Sequence, residues 1–409
     1  MCVLAFEGLP SKQQARLFVD INAKQKSVKK SHLQELYATL RWDAVDPAQR
    51  VDAIMSRSIS GLDEHADSPF FGRIQKADDQ KTGTRCLTMA SLFSALSKPG
   101  LYICKQKDDG SIIAYGPLWA GDNAELTVTR TVQVLNAWFG RIRERATDWW
   151  DLGADAGGGL AMNDSIIACI NVLRSVFHHL EEQGQVGVKL DDDEVTAVIL
   201  PFADILGHFF ASFSSEQRLQ WRNFMGSHGQ TARTRRCQEA IQKEVEGFEP
   251  AGLREFIETM QAQTNTQAKE IIDRMEVTLQ KVILKVLKDR LGADESGWWM
   301  KGVPKPIRMK ATQRREEDNG ERGGQECYLD LIDYREIIVS NWLLFQDMLG
   351  YGKHNESKQR RTQWIVDLND RRKIVMHASS GQYVSLEQLD GLKGRDEWLA
   401  SRVDGVSVD

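Results

Sequence analysis

The chain has 409 residues, of which 41% are hydrophobic and 27% charged, enough for two or three domains and too well balanced for global disorder. Lys+Arg 53 against Asp+Glu 58 gives a net charge of -5, so the whole chain has no positive field, and any nucleic-acid site must be a local patch. The six cysteines (2, 86, 104, 169, 237 and 327) form no C-x-x-C pair, which excludes a zinc knuckle and a disulfide framework and fits a reducing compartment. With no signal-like start, and with the apolar stretch 197–213 broken by Pro201, Asp204 and His208, the sequence points to a soluble, cytoplasmic protein without a membrane span.

In chain order, Met1 to Phe6 has the pattern of a buried strand, which implies a domain that begins upstream of this chain. Glu7 to Ser11 is a turn and cap. A helix carrying Ala15, Phe18, Val19 and Ile21 follows, then a second with Leu33, Leu36 and Leu40, for which Ser27 and Ser31 are candidate caps. Leu101–Cys104 and Ile112–Tyr115, separated by Asp108-Asp109-Gly110, form a predicted hairpin. Val128 to Thr147 is helical, and the glycine-rich 153–159 marks a first boundary.

From Asn163 to Leu291 the pattern is amphipathic helix. Ile166, Ile167, Ile170, Leu173, Val176 and Phe177 share one face; Ile271, Ile272, Met275, Leu279, Val282, Ile283 and Val286 share another. Gly292 to Gln325, with Trp298-Trp299, two prolines and a polar run, reads as a second boundary. A compact helical block closes the chain. The expected fold is therefore mainly α with an N-terminal α/β segment, in three parts: 1–155, 160–291 and 298–409.

Several motifs have ordinary explanations. No P-loop is present, and the 153–159 glycines lack a lysine and a leading strand, which favours a linker over a phosphate loop. Asp191 to Glu194 suits a helix N-terminus better than a cation site. His178-His179 has no ligand partner at i+4, and no G-x-S-x-G elbow exists. No metal or cofactor is expected.

Two basic stretches are candidate nucleic-acid contacts, weighed against solvated surface. Lys301 to Arg315 holds six cations and no acid, including Lys310, Arg314 and Arg315, and a second group is Lys358, Arg360 and Arg361. Arg233, Arg235 and Arg236 form a weaker third cluster. The sharpest signal is Asn369 to His377. Arg372 falls on the stripe of Ile365, Leu368, Val375 and Met376, where a guanidinium costs desolvation unless an anion meets it. His377 stands five residues on, at the expected helix end, with Arg371 and Lys373 flanking Arg372. An imidazole that titrates near neutrality and a forked guanidinium supply what metal-free RNA cleavage needs. On a straight helix the two side chains diverge by roughly 140°, and the alternative is a structural Arg with a C-terminal-turn His.

The block from Trp298 to Val403 resembles a HEPN domain of bacterial defence and toxin proteins. The resemblance rests on Tyr328-Leu329-Asp330-Leu331-Ile332-Asp333-Tyr334, Ile337-Ile338, Asn341 to Phe345 and the R-x4-H spacing of Arg372 and His377. It implies a metal-independent ribonuclease working as a homodimer, with Arg372 as phosphate clamp and His377 as general base or acid. Lys373 and Ala378 stand where the family often has a small polar residue and a proline. Some members only bind or scaffold.

The first ~290 residues resemble the DGQHR family, related to the ParB-like fold and to the DndB proteins of DNA phosphorothioation systems; the match stops where the helical middle ends. Phe6 to Leu9, Gln13 to Asn22 and Lys24 to Val28 with Leu33 carry the resemblance, with Phe71 to Ile74 and Leu87-Thr88 in support. The eponymous Asp-Gly-Gln-His-Arg string is absent. The implied architecture is a partial ParB-like α/β domain, a helical middle and a HEPN-like bundle. The implied function is an RNA-cutting effector of an anti-phage or phosphorothioation-linked system, with DNA as a further partner of the front half. The alternative is a DNA-binding transcriptional regulator or scaffold whose HEPN-like part only dimerises.

Overall fold

The computed structural model describes residues 8–22, 30–76, 79–106, 111–186, 190–224, 226–377 and 382–403. The predicted opening strand, the Ser27 cap and the Asp-Gly turn lie outside them. The protein is mostly helical, and its described strands are two short pairs. Ile74–Gln75 runs parallel to Leu87–Thr88, and Ile103–Lys105 pairs antiparallel with Ile112–Tyr115, the predicted hairpin.

The chain divides into two compact units, Met1–Arg254 and Glu255–Asp409, in place of three segments. In the first, Asp46 caps the helix Pro47–Glu64 by accepting from the Ala48 N–H at 2.9 Å, with Pro47 in the first turn, where its missing donor costs nothing. That helix packs on Ala124–Arg145, which packs in turn on Asp192–Ala211. Trp138, Trp149, Trp150, Trp221, Phe139 and Phe210 are fully buried there. On the helix Asn163–Glu182 all of the predicted face is buried except Ile167, which is partly so. Asp191 and Glu194 form a reciprocal capping box, the ordinary reading of that acidic run.

Asp192–Ala211 is, among the described residues, the one helix long and apolar enough to cross a membrane. Here it lies along Ala124–Arg145, its Asp204 accepting from Arg145 Nε at 2.9 Å.

The glycines at 153–159 are not a linker. The Ala154 N–H donates to Gly83 O at 2.7 Å, and Arg222 donates to the carbonyls of Ala154 and Asp155 at 2.8 and 2.6 Å. Gly153 has φ +53°, and a Cβ there would stand 2.4 Å from Gly83 O; Gly157 has φ +80° but meets only Leu152 Cδ1, at 3.8 Å. Gly153→Ala is therefore expected to cost at least ~2 kcal/mol and Gly157→Ala only about 1 kcal/mol. Denaturant melts of the two variants check this, and equal costs would refute the backbone clash.

The second unit explains why the other expected boundary shifted. From Ala268 the long helix Leu253–Leu291 contributes Ile271, Ile272, Met275, Leu279 and Ile283 to the same core as Trp298, Trp299, Tyr334 and Leu368. Gly292 to Gln325 is thus core-forming. Glu295–Gly302 is a π-helical turn that buries both tryptophans, and Lys305–Glu317 buries Ile307 and Ala311. The helices Leu331–Ser340, Gln363–Met376 and Leu386–Val403 complete the unit. Its single cysteine, Cys327, is exposed, whereas Cys86, Cys169 and Cys237 of the first unit are buried.

Candidate functional site

The site is built on Gln363–Met376. Trp364, Ile365 and Leu368 anchor its inner face, and the Trp364 indole donates to Leu349 O at 3.1 Å. One turn beyond Leu368, the same stripe carries Arg372, whose side chain is one-third exposed. The anion that this position demands is Glu276 of the long helix, with Oε2 3.2 Å from Arg372 Nε. Burial pushes the Glu276 carboxyl above its ordinary range, and Arg372 only partly offsets the rise. Burial also raises the Tyr334 phenol, with the Glu276 and Asp333 charges adding to the effect.

His377 closes the helix as its C-cap (φ -118°, ψ 55°), where its N–H reaches the carbonyls of Lys373 and Ile374. Its imidazole is exposed. No hydrogen bond or ion pair joins it to Arg372 among the described residues. The helix stays regular to Met376 and leaves helical geometry at His377, so the straight-helix angle between the two side chains does not carry over to this residue.

The other predicted cations separate into two groups. Arg314 is a structural residue. It donates to Asp333 Oδ2 at 2.7 Å and Tyr328 O at 2.8 Å, and pairs with Asp330 at 2.7 Å. Arg361 is buried, donates to Gln346 O and Gly350 O, and lies over the Trp342 ring. These two are corrected from nucleic-acid contacts to internal braces, because backbone carbonyls and carboxylates already surround them. Arg371 donates to Asp367 O at 2.8 Å. Arg360 pairs with Glu356 and Lys373 with Asp370, both at the surface, where such pairs are weak and readily exchanged.

Lys310 and Arg315 are exposed on Lys305–Glu317, without a carboxylate partner among the described residues. Replacing both by alanine is expected to reduce the slope of log K against log salt for RNA binding by about 1.4. An unchanged slope would remove this helix from the nucleic-acid face.

Elsewhere, His179 is buried against Phe202 and Phe248 and bonds to Gln183, while His178 pairs with Glu182. Arg233 is buried and donates to Trp221 O. No group of three metal-ligating side chains occurs among the described residues. Glu276 is the site residue that sequence reasoning missed. Its signal was indirect: it adjoins Met275 on an apolar face, and Arg372 required an anion from somewhere. No protein-family model matches the chain, and neither does any curated protein or solved structure.

Proposed function

We propose that the chain is a nucleic-acid-acting protein of a bacterial anti-phage or DNA-phosphorothioation-linked system, with metal-independent endoribonuclease activity of the HEPN type in its second unit. One observation carries this reading. Arg372 is half-withdrawn from water on an apolar stripe, has Glu276 as its one carboxylate partner among the described residues, with Nε nearest at 3.2 Å, and stands at the helix end where His377 is exposed. A guanidinium so placed suits a phosphate fork.

In the proposed reaction the His377 imidazole takes the 2′-hydroxyl proton and the 2′-oxygen attacks phosphorus. The 5′-oxygen leaves with a proton, giving a 2′,3′-cyclic phosphate and a 5′-hydroxyl. The second motif of a homodimer supplies the leaving-group proton, as the resemblance implies.

The neutralisation of Arg372 by Glu276 favours a second reading, a regulator or scaffold that binds nucleic acid without cutting it. Incubating the full chain with a mixed RNA pool and EDTA, at concentrations spanning dimerisation, tests the two. Fragments ending in cyclic phosphate are expected; RNA that is bound but intact throughout would leave the second reading.

A further inference from the structure

The first unit contains an open cleft of about 870 Å³ between the helices Met89–Leu96, Asn163–Glu182 and Gly226–Gln242, lined also by Pro250 and Ala251. Its lining mixes polar side chains with Ala90, Ala95 and Ile167 and carries no aspartate or glutamate, whereas Lys98, Arg174 and Arg235 all line it. Lys98 and Arg174, with no acid in the lining, make a local positive well in a chain of net charge -5. Lys98 and Arg174 are exposed and form no ion pair among the described residues.

Arg235 is held in place. Its Nη1 donates to Gln238 Oε1 at 2.9 Å, Gln238 Nε2 donates to Ser175 Oγ at 2.7 Å, and Ser175 Oγ donates to Asn171 O at 3.2 Å. Every donor in this relay points away from Arg235, so its polarity is fixed. Gly252 makes room for the guanidinium: a Cβ there would stand 2.5 Å from Arg235 Nη2.

We propose that this cleft binds a small anion carrying two or more phosphate charges. The volume is that of a small-ligand site. Guanidinium groups match phosphate oxygens in forked geometry, and an ammonium adds a mobile third charge. The lining contains no Phe, Tyr or Trp, the stacking platforms on which a single strand of nucleic acid would be read. A compact polyanion therefore fits this cleft better than RNA, and the site is independent of the chemistry proposed for the second unit.

The test is calorimetric titration of the full chain, with EDTA, by inorganic phosphate, pyrophosphate and ATP, with a single-stranded RNA oligomer as the competing probe. Saturable binding of pyrophosphate or ATP is expected, tighter than that of inorganic phosphate. Arg174→Gln and Lys98→Gln, both at exposed positions that leave the core intact, should each weaken it about tenfold, the loss of one charge-assisted contact. Lys243→Gln, an exposed cation paired to Glu239 outside the cleft, should leave it unchanged. The proposal falls if none of the three anions saturates up to about 10 mM, a ceiling near the weakest specific ligand affinities. It also falls if binding is indifferent to Arg174 and Lys98, or if only the RNA oligomer responds to them.

Discussion

Replacing His377 by alanine is expected to lower metal-free RNA cleavage by about 10²–10⁴-fold, the usual contribution of a positioned acid or base. RNA binding should stay within a few fold, because an exposed imidazole at a helix C-cap supports little of the fold. Arg372→Ala should lose cleavage to a similar degree, and Arg372→Lys should not restore it, since an ammonium lacks the fork. Initial rates with EDTA present, read beside a binding isotherm, separate the two effects. Equal cleavage by wild type and His377→Ala would sink the catalytic assignment.

Glu276 adds a pH signature. Its folded carboxyl titrates above the ordinary value of 4.5, so the folded state holds more protons than the unfolded chain between that value and the raised one. Stability from this group is therefore greatest at acid pH and declines as pH rises through the window. Protonation also loosens Arg372. Glu276→Gln should flatten this part of the pH–stability profile and tighten RNA binding at neutral pH, where Arg372 no longer faces a competing carboxylate. A profile identical to wild type would show that the pair has no influence on the guanidinium.

The second large effect is expected at Asp333. Its carboxylate is buried, accepts from Arg314 at 2.7 Å, and takes the Asp330 N–H at 3.0 Å in a reciprocal helix cap. Asp333→Ala removes both bonds and leaves Arg314 with Asp330 and the Tyr328 carbonyl alone. The expected loss is about 2–4 kcal/mol, below the full cost of an orphaned buried charge because Arg314 is partly solvated. Arg314→Ala should be milder, since Asp333 keeps its backbone donor. Denaturant unfolding of the two variants decides the order, and a neutral Asp333→Ala would refute the latch.

The elements were legible where a local pattern set them. The Ile166–Phe177 face follows helical spacing, and the alternation around Asp109-Gly110 marked both strands of the hairpin. What stayed hidden depends on partners distant in sequence. Nothing near 153–159 announces that Arg222 will bind its carbonyls, so a stitched turn looked like a linker. Arg314 and Arg361 looked like free cations because Asp333 and Gly350 lie 19 and 11 residues away. The domain limits shifted for the same reason: Ile271 to Ile283 show an apolar face without showing which core receives it.

The lone cysteine of the second unit makes that unit separately observable. With Cys2 and Cys104 replaced by serine, Cys327 is the one remaining thiol that is not buried. It sits in a tight turn beside Tyr328, whose carbonyl holds Arg314. A maleimide fluorophore there would follow the opening of the Arg314 latch in real time. Melting, titration or ligand binding of the second unit can thus be read on its own label, apart from the tryptophan signal that both units share.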